Sequence, residues 1–298
     1  MSAAPRRRFA RLALWNGKVA WAELAEDRAI LLDAAPWDPA CAPTGDHVDR
    51  VDAQGRSART RPLAPVVPRK ILCVGRNYRA HAKELGHEVP VEPMIFYKPP
   101  TSILDPGGDV ELPPPEVSER VEHEIELGVI VGRRLRHASI EEARAAIFGL
   151  TLVVDVTARD LQKKDGQWWR AKGMDTFCPV GPVIVTGLDP QALAILGTVN
   201  GEIRQSGRTS DMIFPVAEVL SYVSRALTLE PGDLLATGTP EGVGPLRAGD
   251  RLEVQIAEIG TLSVGVVGPG GAVGGGVAGA VAGGVAGAVA GASGPTEG

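Results

Sequence analysis

The sequence predicts an α+β fold with a small N-terminal β unit, and three observations carry that expectation. Strand-like and helix-like segments occur together without a regular β-α-β beat. The first 32 residues hold apolar runs around an Asn16-Gly17 pair, the strongest short-range hairpin signal. The length, 298 residues, allows one large domain or two ordinary ones.

Taken in order, Phe9–Trp15 and Val19–Leu24 flank the Asn-Gly turn, and Ala29–Leu32 adds a third strand. Residues 34–68 are rich in proline and polar side chains, and predict a largely irregular connector. Residues 1–68 therefore form a small β domain with its linker. A second unit, 69–267, opens with the apolar run Ile71–Val74, which ends at Gly75. Asn77 is positioned to cap a helix over 78–85 that Gly86 ends. Further strands are expected at Met94–Tyr97, Glu124–Val131, Val183–Val185 and Leu252–Ile256. Helices are expected at Ser139–Ala146, where Ser139 and Glu142 form a capping box, at Asp155–Gln162 and at Phe214–Ala226. Residues 268–298 are almost only Gly, Ala and Val. That composition is weakly hydrophobic and costly to order as a helix, so a disordered tail is expected and a membrane span is not.

Composition excludes several function classes. Net charge is −5, from 31 basic and 36 acidic residues, and aromatics make up 4%. A nucleic-acid binder needs a basic surface and stacking rings, so none is expected. No G-x-G-x-x-G or Walker pattern follows a strand. The three cysteines, Cys41, Cys73 and Cys178, are scattered and odd in number. They suggest neither disulfides nor zinc but a reducing, cytoplasmic setting. The N-terminal MSAAPRRRFARLALW has no apolar stretch behind its arginines, so no secretory signal is expected.

The densest chemical signal is the run His123–Val131. On a strand, Glu124 and Glu126 share one face, while Ile125, Leu127, Val129 and Val131 share the core face. Two neighbouring half-buried carboxylates repel one another, and a divalent cation would offset that; a solvated sheet face is the alternative. The apolar run Thr151–Val154 delivers Asp155 at its end. Asp155, Arg159 and Gln162 would share a helix face, offering an acidic oxygen, a guanidinium fork and an amide, although Asp155 could equally be only an N-cap. Three carboxylates suit an oxygen site for Mg²⁺ or Mn²⁺. His81 and Glu84 are i, i+3 neighbours, so a carboxylate could orient the imidazole as a base; an ordinary surface pair reads the same way. Lys172 lies near Trp168 and Trp169, either beside a substrate anion or snorkelling to solvent. Thr239 sits in a Gly/Pro loop, 237–245, that could clasp a ligand carboxylate.

Read together, Cys73-Val74-Gly75-Arg76-Asn77-Tyr78 with His81 and Glu84, His123–Leu127, Asp155–Gln162, Lys172-Gly173, Val199–Glu202, Met212–Phe214, Thr237–Pro240 and Gly242–Gly244 closely resemble the fumarylacetoacetate hydrolase family. The similarity spans about 69–267 and lies closest to the short members: acylpyruvate hydrolases, oxaloacetate decarboxylases and hydroxymuconate-type isomerases. The resemblance implies a mixed β-roll catalytic domain, usually in a homodimer. It implies Mg²⁺ or Mn²⁺ on Glu124, Glu126 and Asp155, and makes His81 and Glu84 a lid-helix pair acting with Lys172. It places Arg76, Tyr78, Arg159, Gln162 and Thr239 about the substrate. The activity expected from it is cleavage of a C–C bond in a 2,4-dioxo acid through a metal-stabilised pyruvate enolate. An isomerase, an oxaloacetate decarboxylase or an inactive metal-binding homologue are the alternatives.

Overall fold

A computed structural model describes residues 5–86 and 88–271. Most of the predicted tail lies outside the described residues. Among those residues, no helix is long and apolar enough to cross a membrane.

The architecture is mainly sheet with short helices, as the α+β reading expects. The largest sheet runs, in spatial order, through 43–49, 28–32, 19–25, 8–14, 178–185, 147–154, 125–131, 234–236, 71–75 and 94–98. The Asn16-Gly17 hairpin forms, with Arg8–Leu14 antiparallel to Val19–Ala25. The N-terminal strands join the sheet of the 69–267 unit directly, because Arg8 and Phe9 pair with Val185 and Ile184. A five-stranded sheet (202–208, 194–199, 251–256, 260–267, 109–111) covers one side, and a three-stranded ribbon (157–158, 121–123, 244–245) frames the site.

The connector is more ordered than its prolines suggest. Pro43–Asp49 pairs with Arg28–Leu32, and Thr60–Leu63 pairs with Arg8–Leu14. An edge position tolerates proline because its missing N–H faces away from the ladder. Three helices are also displaced. The helix at Ser139 forms with its capping box intact, but the helix expected from Asp155 begins only at Arg159. The helix expected from Phe214 begins at Val216, after Pro215. The helix Arg79–Glu84 has Tyr78 at its N-cap with no side-chain cap, since Asn77 is engaged elsewhere.

The strand Ile125–Val131 is buried along its whole length. The alternation read from sequence holds: Ile125, Leu127, Val129 and Val131 pack into the larger apolar cluster. The opposite face, with Ile130, joins Ile71, Cys73, Val153, Cys178 and Val180 in a second cluster. Gly128 is needed on that second face, where a Cβ would lie 2.7 Å from Val153 Cγ2. The carboxylates therefore sit at the end of a dry, two-sided core.

Candidate metal centre and active site

Three elements converge at the end of the second cluster. Glu124 and Glu126 come from residues 121–131, Asp155 follows the strand Ile147–Val154, and Lys172 ends the helix Trp169–Lys172. Glu124, Glu126 and Asp155 are buried, and each offers a carboxylate oxygen within 4.8 Å of the others. Sheet pairing forces this meeting, because Ile125 is opposite Val154 and the Asp155 N–H donates to the Glu124 carbonyl at 2.8 Å.

Buried cations surround the triad. Lys172 Nζ donates to Glu124 Oε2 at 2.9 Å and to Asp155 Oδ2 at 2.6 Å. Lys98 Nζ donates to Asp155 Oδ1 at 2.6 Å and to the Val156 carbonyl at 3.2 Å. Arg159 bridges Glu122 Oε2 at 2.7 Å, Glu124 Oε1 at 2.6 Å and Gln162 Oε1 at 2.6 Å. Burial alone would push the Glu124 carboxyl up, but Lys172 and Arg159 hold it well below the ordinary carboxylate range.

Glu126 is different. It accepts one backbone N–H, from Gly238 at 2.8 Å, and has no cation within ion-pair distance among the described residues. Burial, then Asp155 and Glu124, push its carboxyl well above the ordinary range. Four buried carboxylates (Glu122, Glu124, Glu126, Asp155) thus face three buried cations (Lys98, Arg159, Lys172), and the uncompensated charge falls on Glu126. A divalent cation is the chemistry that fits. The triad oxygens are hard donors, and each carboxylate oxygen has a second lone pair to share beside an ammonium. Glu124, Glu126 and Asp155 are the residues that could hold it.

A cavity of about 540 Å³ opens on this cluster. Arg76, His81, Glu84, Arg159, Gln162 and Lys172 all line it, as do Phe96, Arg120, Lys163 and Trp168. Phe96 and Trp168 form an edge-to-face pair at 5.4 Å, and Lys172 Nζ sits 5.0 Å over the Phe96 ring. His81 is buried, with Nδ1 3.2 Å from Glu84 Oε2, and Glu84 Oε1 accepts the Gly242 N–H at 2.9 Å. One carboxylate therefore orients the imidazole and ties its helix to the 240–245 loop.

Two sequence candidates lie off this cavity. Tyr78 is buried and lines a separate recess near Met212 and Pro240. Thr239 accepts a hydrogen bond from Gln205 Nε2 at 2.7 Å. The amide of Gln205 is fixed by its four partners: Nε2 donates to Thr239 and the Pro240 carbonyl, while Oε1 accepts from Ile125 N and His123 Nδ1. His123 thus braces the strand behind Glu124, and burial pushes its imidazole down.

Sequence reasoning missed Lys98, Glu122, Gln205 and the bracing role of Asn77. Glu122 was legible, because 122, 124 and 126 share a parity; its carboxylate carries Arg159 and Arg120. Lys98 ends an apolar strand before two prolines, which is a weak signal. Gln205 acts across 80 residues, with no local pattern to find.

Comparison with known proteins gives concordant results. The family description "Fumarylacetoacetate (FAA) hydrolase C-terminal" matches residues 70–267. A Pyrococcus horikoshii protein described as uncharacterized is 50% identical over 208 residues, 68% of this chain and 90% of its own. The oxaloacetate tautomerase YisK of Bacillus subtilis is 44% identical over 211 residues, 67% of this chain and 70% of its own. The crystal structure of 2-hydroxyhepta-2,4-diene-1,7-dioate isomerase from Mycobacterium marinum superposes with a TM-score of 0.78. It is 40% identical, covering 89% of this chain and 100% of that one.

Proposed function

This chain belongs to the fumarylacetoacetate hydrolase family, and from that premise we propose that it is a divalent-metal-dependent enzyme that interconverts the keto and enol forms of a 2-oxo acid. The observation that carries this reading is the buried triad whose Glu126 has no cationic partner among the described residues, opening on a cavity lined by cations. Relatives named oxaloacetate tautomerase and dienedioate isomerase support the same class.

Glu124, Glu126 and Asp155 would hold a divalent cation, which would supply Lewis acidity for the negative charge that develops on the substrate oxygen. Arg159 and Lys172 bind the 2-oxo carboxylate end and stabilise the negative charge that develops there. Gln162, held by Arg159, offers an amide to the same end. His81 uses Nε2, the nitrogen that Glu84 leaves free, to take the proton from C3 of the ketone and pass it to the C2 oxygen, which gives the enol; the reverse transfer regenerates the ketone. Phe96 and Trp168 exclude water from one wall, which strengthens each of these interactions.

Hydrolysis of a 2,4-dioxo acid is the second reading, and the oriented His81–Glu84 pair favours it. That pair could deprotonate a water for attack at C4, which would break the C3–C4 bond and leave a carboxylic acid and a pyruvate enolate. An ultraviolet assay with Mg²⁺ or Mn²⁺ and an EDTA control separates the readings. The expected result is metal-dependent acceleration of oxaloacetate enol–keto exchange without loss of oxaloacetate. Pyruvate formed from acetylpyruvate would favour hydrolysis, and pyruvate formed from oxaloacetate would favour decarboxylation. Metal binding with no reaction on any of these would contradict the enzymatic assignment.

A further inference from the structure

The cations at the cavity are not equivalent. Arg159 and Lys172 are already ion-paired with the triad and Glu122 on the metal side of the cavity, and Arg120 is paired with Glu122 at 2.6 Å. Arg76 is half-buried and lines the same cavity, yet its guanidinium has no hydrogen bond or ion pair among the described residues. Its backbone is also unusual, because φ is 55° at a residue with a side chain.

That conformation is imposed from both sides. Before it, the backbone of Gly75 is pressed so close to Met94 and Trp168 that a Cβ would lie 3.2 and 3.3 Å from their side chains. After it, Asn77 is clamped. Its Nδ2 donates to the Thr237 and Phe214 carbonyls, its Oδ1 accepts the Phe214 N–H, and its carbonyl accepts the Ile213 N–H. Backbone strain that the surroundings over-determine is a marker of a functional position. Here it holds one unpaired guanidinium at the cavity. Its burial already disfavours the bare charge, so an anionic partner would be favoured there.

We propose that Arg76 recognises a second, distal carboxylate of the substrate, so that the site selects 2-oxo dicarboxylates over 2-oxo monocarboxylates. This deepens the oxo-acid reading above and rests on it. Lys163, exposed at the cavity and also without a partner among the described residues, adds positive charge near the same anion.

Calorimetric titration of the Mg²⁺-loaded protein with two unreactive probes tests this. Oxamate carries only the oxalyl head, whereas N-oxalylglycine carries the same head and a distal carboxylate. Wild-type protein is expected to bind N-oxalylglycine roughly tenfold or more tightly than oxamate, as one charge-assisted bidentate contact allows. Arg76→Gly, which relieves the left-handed backbone, is expected to bring the ratio to about one while oxamate affinity stays within about twofold. Arg76→Lys is expected to restore part of the preference. A preference that survives in Arg76→Gly overturns the proposal. So does a parallel loss for both probes at an unchanged unfolding midpoint, because Arg76 would then act on the shared head. Wild-type protein that binds the two probes equally overturns the distal subsite and leaves the oxo-acid reading standing; wild-type protein that binds neither overturns both.

Discussion

The two halves of the site are built differently. The segment 121–131 is buried and sheet-paired along most of its length, and its glutamates are locked to Arg159, Lys172 and Gly238. The helix Arg79–Glu84 opposite it is six residues long, lacks a side-chain cap and buries only His81 and Ala82. Glu84 fastens it to the 240–245 loop, and Glu84 is itself partly exposed. The difference teaches a division of labour: one half is rigid enough to hold a charge cluster, and the other is light enough to reposition a proton-transfer group.

The largest expected effect lies within the rigid half and splits its two glutamates. Glu124→Ala leaves Lys172 and Arg159 each short of a buried partner, and should lower unfolding free energy by about 3–5 kcal/mol. Glu126→Gln removes a carboxyl that its neighbours repel, and should leave metal-free stability within about 1 kcal/mol of wild type. Denaturant unfolding with EDTA present checks both, and equal losses would break the account. The pH dependence sharpens it. Glu124, held low in the folded state, stabilises fully above the ordinary carboxylate range, and that stability is lost as pH falls below this range toward the depressed folded-state value. The acid limb of the wild-type profile should therefore be steeper than that of Glu124→Gln.

Next comes the donor to Glu126. Gly238 has φ +96°, and a Cβ there would lie 2.7 Å from Asn77 Cβ. Gly238→Ala should cost about 1–3 kcal/mol and weaken metal binding as well.

The light half should respond in the opposite sense. Glu84→Ala should change stability by no more than about 1 kcal/mol, because the pair is partly exposed. Turnover should fall roughly 10- to 100-fold through the loss of an oriented imidazole. A stability loss as large as that of Glu124→Ala would erase the distinction.

Legibility in the sequence follows the same line. Glu124, Glu126 and Asp155 were readable because strand parity and an apolar run ending in an acid are local patterns. The hairpin at Asn16-Gly17 was readable for the same reason. The start of the helix at Arg159 was not, because Asp155 is drawn into the cluster by Lys98 and Lys172, which are distant in sequence. Asn77 looked like a cap, but tertiary partners at 213, 214 and 237 took its hydrogen bonds instead. Strands 43–49 and 60–63 were hidden by prolines that an edge position tolerates. Tyr78 and Thr239 share the family pattern yet lie off the cavity, a distinction that depends on where Met212 and Gln205 come to rest.

The smallest effect concerns the thiols. Cys73 and Cys178 lie in the core behind the triad, and burial pushes the Cys178 thiol up to about 12. Thiol reagents at neutral pH should modify Cys41 and spare both others, and metal should slow any residual reaction further. Rapid labelling of Cys73 or Cys178 would show that the rigid half opens.

The most direct measurement is a calorimetric titration of Mn²⁺ into metal-free wild-type protein and into Glu126→Gln. The account predicts one site per chain in the wild type, with protons released as Glu126 ionises, and no binding in the variant. Equal binding by the two proteins would contradict a divalent-metal centre on Glu124, Glu126 and Asp155.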